Sequence, residues 1–250
     1  MDQYIFITGA SSGFGEATAR LFAKKGWPLI LLARRKERLL ALKEELSNQV
    51  DVITLTCDVR DEQSVNKAIS ELHDAVVDNI GVLVNNAGLA VGKGPIDQGI
   101  TEDWERMIDT NIKGLLYVTK AIVPYFKRNK KGHIINIASI AGKEVYPGGN
   151  VYCATKHAVD ALSRAMRIDL VSHGIKVSNL APGAAETEFS IVRFKGDTQT
   201  ADHVYDGYDP LIADDIAETV WFLSSRPAHV NINDITIMAT AQASATVISK

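Results

Sequence analysis

The 250-residue sequence has few cysteines, no long apolar run and no strong excess of charge. Its two cysteines, Cys57 and Cys153, cannot form a disulfide framework, and neither has a CxxC partner. The longest apolar stretch, Pro28–Ala33, is far too short to span a bilayer. A net charge of −3 excludes the basic surface typical of proteins that bind nucleic acid or anionic membranes. Since no cluster of His, Cys or Asp has metal-ligand spacing and no signal-like segment opens the chain, we expect a cytoplasmic protein without metal.

Short apolar segments alternate with amphipathic ones along the whole chain. The predicted strands are Tyr4–Thr8, Leu29–Ala33, Val52–Thr56, Val82–Asn85, His133–Ala138, Ile175–Leu180 and Asp234–Met238. The predicted helices are Gly13–Lys25, Lys36–Leu46, Asp61–Leu72, Glu102–Phe126, Val151–Ser172 and Asp214–Leu223, with Asp61 and Thr101 as N-caps. Strand–helix alternation implies right-handed βαβ crossovers. The sequence therefore predicts one α/β domain over residues 1–250, a Rossmann-like doubly wound parallel sheet of about seven strands with helices on both faces.

Two segments interrupt this alternation. Leu89–Ile100 is rich in glycine, and we expect a surface loop there. Pro182–Pro210 is long and has no regular period. A long irregular segment in a compact domain is often a functional lid, and this one follows a strand end, where ligands bind in such sheets. We therefore predict a substrate lid at about 183–210.

A glycine-rich turn, formed by Gly9, Gly13 and Gly15, lies between the first strand and the first helix. Glycines there permit a tight turn and let backbone N–H groups approach a phosphate at the positive end of the helix. The second strand ends in Arg34 and Arg35, without the carboxylate that would mark NAD. A guanidinium can pair a 2′-phosphate, so NADP is the predicted cofactor. The alternatives are a merely tight turn and two surface arginines that begin a helix.

Tyr152 and Lys156 are one helical turn apart and project from one face of a helix. Lowering the pKa of a tyrosine from about 10 to about 7.5 requires roughly 3.4 kcal/mol. One charge at about 4 Å and an effective dielectric of about 20 supplies roughly 4 kcal/mol. A nucleotide turn combined with such a phenol is typical of an oxidoreductase that moves a hydride and a proton. Ser139 ends the fifth strand and Asn111 lies in a helix; their alternative interpretations are a turn residue and a satisfied buried amide.

Several motifs in this order resemble those of the short-chain dehydrogenase/reductase family over essentially the whole chain. They are Thr8-Gly9-x-x-x-Gly13-x-Gly15, Cys57-Asp58-Val59, Asn85-Asn86-Ala87-Gly88, Asn111, Ser139, Tyr152-x-x-x-Lys156, and Pro182-Gly183 with Thr187. The resemblance implies that Tyr152 is the general acid/base and that Ser139 holds the substrate oxygen. It also implies that Lys156 binds the nicotinamide ribose and lowers the tyrosine pKa, while Asn111 supports a water relay to the lysine.

The same resemblance extends the expected cofactor site. Asp58 would meet the adenine, Asn85 would line the cofactor and Thr187 would touch the carboxamide. With the turn and the arginines, the predicted cofactor residues are Gly9, Ser11, Ser12, Gly13, Phe14, Gly15, Arg34, Arg35, Asp58, Val59, Asn85, Ala87, Tyr152, Lys156, Pro182, Gly183, Ala185 and Thr187.

Arg193 lies among apolar residues of the predicted lid. A guanidinium there can clamp a carboxylate or sulfonate bidentately and orient the adjacent alcohol or carbonyl. The alternative is a surface arginine, or one paired with Glu186 or Glu188. With Ser139 and Tyr152, Arg193 is a predicted substrate residue, and Gln242 is a second polar contact by the resemblance.

The lid, together with residues 107–111 and 227–233, resembles the NADP-dependent 3-hydroxy acid dehydrogenase branch, which acts on serine, allo-threonine and related acids. The sulfoacetaldehyde reductases share much of this pattern, so the anion can be a sulfonate. We therefore expect the interconversion of a small 3-hydroxy acid and its 3-oxo acid. A broad carbonyl reductase for neutral ketones and a non-catalytic NADPH-binding regulator are the alternatives.

The predicted helices Glu102–Phe126 and Val151–Ser172 carry apolar residues around much of their circumference. One sheet face cannot cover so much apolar surface, which suggests a partner subunit. The resemblance points to a homotetramer, whereas the residues alone also permit a dimer.

Overall fold

The computed structural model describes residues 3–250, with the side chains of residues 201 and 202 excepted. Its main feature is a parallel sheet of the strands β1 (Tyr4–Thr8), β2 (Leu29–Ala33), β3 (Val52–Thr56), β4 (Ile80–Asn85), β5 (Gly132–Ile137), β6 (Ile175–Pro182) and β9 (Asp234–Ile237). Their order across the sheet is β3-β2-β1-β4-β5-β6-β9. A separate parallel pair joins β7 (Ala185–Glu186) to β8 (Leu211–Ile212). The predicted seven-stranded parallel sheet is confirmed.

Helices connect the strands across both faces of the sheet. They are α1 (Gly13–Lys24), α2 (Lys36–Leu46), α3 (Glu62–Ser70), α4 (Asp74–Val77), α5 (Thr101–Ile108), α6 (Leu115–Asn129), α7 (Asn150–Leu170), α8 (Phe189–Arg193), α9 (Thr198–Asp202) and α10 (Ala213–Ser224). Among residues 3–250, no helix combines the length and the apolar character needed to cross a membrane.

The strand side chains alternate between two apolar cores. On β1, Ile5 and Ile7 pack with Phe22 of α1 in one core, which also includes residues of α2 and α10. Phe6 points to the other face and packs with Phe126 of α6, together with residues of α3 and α7. All five side chains are fully buried. Alternation of this kind follows from the pleat of a strand that is covered on both faces, and it confirms the doubly wound architecture.

The predicted helix Glu102–Phe126 is helical throughout, but it contains a π-helical segment at Asp109–Gly114, between α5 and α6, that was not predicted. A π segment inserts an extra residue into the turn and shifts the following side chains by about 100° around the axis. Such segments are frequent at functional sites, and this one contains Asn111. Apolar periodicity alone does not reveal the extra residue.

Of the two predicted N-caps, one is confirmed. The Asp61 carboxylate accepts the backbone N–H of Gln63 at 3.0 Å and caps α3. Thr101 is not the cap of α5: Ile100 takes that position and Thr101 is the first helical residue.

The prediction of a surface loop at Leu89–Ile100 is wrong for its first three residues, because residues 89–91 are buried in a small apolar cluster with Tyr152.

The sheet order reverses at β1, whose neighbours are β2 on one side and β4 on the other. Ligands of open α/β sheets bind in the crevice at the carboxyl ends of the strands beside such a reversal. The glycine turn after β1 lies there. A Cβ built on Gly15 would approach the Gly9 carbonyl oxygen to 2.5 Å and the Asn86 amide nitrogen to 2.6 Å. Glycine is therefore required at this position by close packing of α1 on the end of β4.

We expect Gly15→Ala to lower the free energy of unfolding by about 1–3 kcal/mol, because the added methyl group collides with backbone that cannot move freely. Gly94→Ala is the matched control, since no heavy atom of the described residues lies within 4 Å of its built Cβ. We expect that control to stay within about 0.5 kcal/mol of wild type. Urea unfolding measures both changes, and equal midpoints for the two variants would contradict the packing account.

Candidate active site

A cavity of about 540 Å³ opens at the carboxyl ends of the central strands. Its walls combine the turn after β1, the ends of β2, β5 and β6, the N-terminal half of α7, and α8. The predicted site residues that line it are Gly9, Ser11, Ser12, Gly13, Phe14, Arg34, Arg35, Asp58, Val59, Ala87, Ser139, Tyr152, Lys156, Pro182, Gly183, Ala185, Thr187, Arg193 and Gln242. Residues far apart in sequence thus converge on one space.

The turn after β1 has the geometry of an anion cradle. Gly9 and Gly13 have φ angles of +67° and +53°, a region that favours glycine. Ser12 precedes α1 with an extended backbone and makes no side-chain cap bond, so the first N–H groups of the helix remain for a ligand. Gly15 packs against Gly9 rather than lining the cavity, so its predicted cofactor contact becomes a packing role.

Arg35 joins this turn from the end of β2. Its Nε donates to the Ser11 hydroxyl at 3.1 Å, and its Nη2 donates to the Ser11 carbonyl at 3.2 Å and the Ser12 hydroxyl at 2.5 Å. Arg34 lies beside it, 3.8 Å from Asp58. Two guanidiniums therefore flank the cradle where the ribose of an adenine nucleotide would lie, so these residues fit a nucleotide with a 2′-phosphate.

The end of β3 supplies Asp58, which lines the cavity and accepts bonds from Arg60 Nη2 at 2.6 Å and Nε at 3.0 Å. Burial raises the pKa of Asp58, but the hydrogen bonds and charges of Arg60 and Arg34 outweigh it, and the net pKa is below its usual value. This carboxylate is therefore ionised at neutral pH, and it can accept a hydrogen bond from a ligand.

The prediction that the Asn85 side chain lines the cofactor site is wrong. Its amide nitrogen donates to the hydroxyl of Thr119 and to the side-chain oxygen of Asn136, each at 2.9 Å, inside the core. The next residue, Asn86, lines the cavity instead. Alternation along β4 explains the error, because neighbouring residues of a strand face opposite sides.

The central pair, Tyr152 and Lys156, lies on α7 as its spacing predicts. The Lys156 ammonium is 5.9 Å from the centre of the Tyr152 ring and donates to the Ile137 carbonyl at 2.9 Å. Both side chains are at least nine-tenths buried. The phenol and the ammonium therefore share one wall of the cavity.

In this structure burial, rather than Lys156, dominates the pKa of Tyr152. Burial raises the pKa of Tyr152 above its usual value, and Tyr146 adds to this, while Ser139 and Arg193 act in the opposite direction. Burial also lowers the pKa of Lys156 to about 8. The attraction between the two charges, taken alone, omits the desolvation that dominates the pKa values of both groups. Tyr152 is therefore held protonated, as a proton donor.

Ser139 and Asn111 lie beside this pair with different partners. The Ser139 hydroxyl accepts the Ala141 N–H at 3.1 Å and donates to the Pro182 carbonyl at 3.4 Å. The Asn111 amide exchanges two bonds of 2.8 Å with the backbone of Leu89 and donates to the Thr155 hydroxyl at 3.0 Å. The alternative interpretation of Asn111, a satisfied buried amide, therefore holds for its side chain. Its side chain fixes the buried start of the loop after β4, which leaves only its backbone for the predicted water relay.

Arg193 ends α8 and reaches into the cavity. Its guanidinium lies 5.3 Å from the Tyr146 ring centre and 5.7 Å from that of Tyr152. Among the described residues, its Nε is buried without a hydrogen-bond partner. Glu188 is not its ion-pair partner, because that carboxylate contacts Arg35 and Arg38. A buried donor without a protein partner is what an anion-binding position requires.

Gln242 makes two hydrogen bonds within the protein. Its side-chain oxygen accepts the Ala184 N–H at 2.8 Å, and its amide nitrogen donates to the Ser244 carbonyl at 3.0 Å. These bonds attach the C-terminal segment to the start of the predicted lid. Although Gln242 lines the cavity, contact with substrate stays a prediction.

Two aromatic residues that line the site, Tyr146 and Tyr205, were not predicted from the sequence. Tyr146 stacks with Arg193, while the Tyr205 hydroxyl donates to the Ala185 carbonyl and bonds to Ser190, each at 2.7 Å. Both lie in segments without periodicity, which gave no signal. Arg38, which the sequence analysis did not single out, donates to the Glu188 carboxylate at 2.6 Å at the edge of the site.

Comparison with known proteins agrees with this geometry. The family model for short chain dehydrogenases matches residues 3–197. The chain is 47% identical to sulfoacetaldehyde reductase 2 of Chromohalobacter salexigens, over 97% of this chain and 96% of that protein. It is 46% identical to an NADP-dependent 3-hydroxy acid dehydrogenase of Salmonella typhi, over 95% of each. The closed form of a serine dehydrogenase complexed with NADP+ superposes with a TM-score of 0.93 at 42% identity, over 99% of both chains. The chain therefore belongs to the short-chain dehydrogenase family.

Burial of Lys156 predicts a pH-dependent cost to stability. Because its folded pKa of about 8 lies below the ordinary value of 10.5, the unfolded chain binds this proton more tightly. The cost is therefore complete below about pH 8 and fades as the pH rises toward about 10.5. We expect Lys156→Met to raise the free energy of unfolding at pH 7 by on the order of 2 kcal/mol, and by less at about pH 9.5.

Urea unfolding at the two pH values measures this difference, and Lys67→Met, which alters an exposed lysine, serves as the control. A Lys156→Met protein that is less stable than wild type at pH 7 would show that desolvation does not dominate at this position.

Proposed function

We propose that the protein is an NADP-dependent oxidoreductase that interconverts a small 3-hydroxy acid, such as serine or allo-threonine, and its 3-oxo acid. The observation that carries this proposal is the guanidinium of Arg193, which lies over the Tyr152 ring in the same cavity as the glycine turn and Arg35. An anion-binding group thus lies beside a proton donor and a nucleotide cradle. The NADP-dependent and NADP-bound relatives support the cofactor assignment.

The residues that would hold NADP follow from the cavity. The turn from Gly9 to Gly13 and the N-terminus of α1 would take the pyrophosphate, and Arg34 and Arg35 would take the 2′-phosphate. Asp58, Val59, Ala87, Pro182, Gly183, Ala185 and Thr187 complete the lining. When bound, the nicotinamide supplies or accepts the hydride, and the protein handles the proton and the orientation of the substrate.

Tyr152 would transfer the proton at the substrate oxygen, and Ser139 would hold that oxygen. Burial keeps the Tyr152 phenol protonated, which suits donation to a carbonyl oxygen during reduction. Lys156, whose pKa of about 8 lies near neutral pH, can give up and regain a proton in the pH range in which the enzyme would work. Its bond to the Ile137 carbonyl fixes its position.

Arg193 would bind the acid group of the substrate by charge-assisted hydrogen bonds. Carboxylates and sulfonates both offer the oxygen pair that a guanidinium prefers. The relative that acts, by its name, on sulfoacetaldehyde therefore supports a second candidate function, the reduction of sulfoacetaldehyde. Residues 183–210, which carry Arg193, would form the lid of the site.

The proposal also covers the oligomeric state of the protein and its location in the cell. Apolar side chains on α5, on α6, near the end of α7 and immediately after it are exposed in the single chain, including Ile108, Leu116, Ile168 and Val171, the last two at 76% and 68%. They support a homo-oligomer, and we propose a homotetramer, which sedimentation equilibrium distinguishes from a dimer. The two free cysteines support a reducing compartment, the cytoplasm.

Tyr152→Phe tests the catalytic proton transfer. We expect kcat to fall by about 10²- to 10⁴-fold, because the ring remains but the transferable proton is lost. NADPH binding, followed by fluorescence titration, should stay at the wild-type level. Tyr125→Phe on α6 is the matched control and should retain activity. If wild-type protein binds NADPH yet turns over no substrate, the proposal of an enzyme is refuted in favour of a non-catalytic NADPH-binding regulator.

Arg193→Ala tests the anion clamp. We expect KM for 3-hydroxy acids and for sulfoacetaldehyde to rise about 10- to 100-fold, the value of a charge-assisted bond in a buried site. Turnover of neutral ketones should be unchanged, Arg193→Lys should restore part of the affinity, and Arg106→Ala on α5 is the control. NADP-linked absorbance against a panel of hydroxy acids, sulfoacetaldehyde and neutral ketones measures these constants. Activity with neutral ketones alone would refute the clamp.

A further inference from the structure

A carboxylate of the proposed lid reaches the arginines of the nucleotide site. Glu188, which immediately precedes α8, places Oε2 at 3.0 Å from Arg35 Nη1 and Oε1 at 2.6 Å from Arg38 Nη1. The two arginines are about 150 residues away in sequence. Both carboxylate oxygens are therefore used to join the lid to the start of α2.

The other N–H groups of Arg35 donate to the glycine turn. Its Nε and Nη2 contact Ser11 and Ser12, so the Nη1 edge is the one that faces outward from the turn, and Glu188 occupies it. Arg38 follows Arg35 by three residues and presents its own Nη1 to the same carboxylate. A ligand anion arriving at Arg35 would therefore meet Glu188 in place.

The net charge of the side chains at this position is positive and attracts an anion. Two guanidiniums face one carboxylate, which leaves an excess positive charge. Burial raises the pKa of Glu188, but the bonds from Arg38 and Arg35 outweigh it and lower the net pKa, so the carboxylate is ionised at neutral pH. A phosphate dianion and this carboxylate would repel each other if both stayed.

We propose that Glu188 occupies the 2′-phosphate position and competes with that phosphate for Arg35 and Arg38, and that Arg38 is a second ligand of the phosphate. The proposal rests on NADP being the cofactor, as proposed above. Glu188 then weakens the binding of nucleotides that carry a 2′-phosphate and has no effect on those that lack it. Arrival of the phosphate also releases this end of the lid from α2.

Glu188→Gln tests the competition, with Glu186→Gln as the matched control, because Glu186 is an exposed carboxylate of the same segment. Calorimetric titration with 2′,5′-ADP and with 5′-AMP isolates the 2′-phosphate without any turnover. We expect Glu188→Gln to tighten 2′,5′-ADP binding about two- to fivefold, the range for a half-exposed ion pair. Binding of 5′-AMP should not change, and the gain should shrink as salt is added.

Arg38→Gln tests the second ligand, with the exposed neighbour Lys36→Gln as control. It should weaken 2′,5′-ADP binding and spare 5′-AMP. If Glu188→Gln matches Glu186→Gln, or weakens 2′,5′-ADP binding, the competition is refuted; an Arg38→Gln protein identical to Lys36→Gln refutes the second ligand. These failures differ from failure of the NADP assignment, in which wild-type protein itself would not prefer 2′,5′-ADP to 5′-AMP.

Discussion

The join between the ends of β1 and β4 is the constraint on which the site depends. The Thr8 hydroxyl accepts the backbone N–H groups of Asn86 and Ala87, each at 2.9 Å, while the Asn86 amide donates to the Thr8 carbonyl at 2.9 Å. These bonds cross the point where the strand order reverses, which is the point where the crevice of such a sheet opens. They leave no room for a side chain at Gly9 or Gly15. The cradle for a phosphate and the wall that carries Ala87 are therefore one rigid unit.

The catalytic groups are held at a cost in stability. A buried phenol, a buried ammonium and a partly buried guanidinium each lose hydration, and each must recover it through fixed partners. Lys156 has the Ile137 carbonyl, whereas the Nε of Arg193 has no partner among the described residues. Perturbed groups that converge on one cavity are typical of a functional site rather than of a core built for stability. The unsatisfied donor marks the position that a ligand completes.

The sequence predicted the sheet well, because the inner strands are buried on both faces and are continuous apolar runs. The bounds of β1, β2 and β3 were located to the residue. It failed where local periodicity carries no information. The π segment around Asn111 adds one residue without changing the apolar pattern. The cavity residues Tyr146 and Tyr205 lie in irregular segments. The pKa of Tyr152 is set mainly by desolvation, which depends on how the folded chain buries the phenol. The spacing of Tyr152 and Lys156 in the sequence gives no information about that burial.

Within the proposed lid, α8 is attached on both sides by charge and at Arg193 by one backbone bond and aromatic contact. Lys195 pairs with Asp103 at 2.6 Å beyond the C-terminal end of α8, opposite to the Glu188 pairs, and the Gly92 N–H donates to the Arg193 carbonyl at 3.0 Å. The Glu188 pairs, whose partners are half-exposed, each contribute up to about 1 kcal/mol and weaken with salt, whereas the Lys195 pair is made to a buried carboxylate, Asp103. The N-terminal end of α8 is therefore the attachment that a change of charge would loosen first. Arg193 lies between these two attachments, so an anionic substrate that binds the guanidinium would itself supply the missing partner of Nε and favour this position of α8.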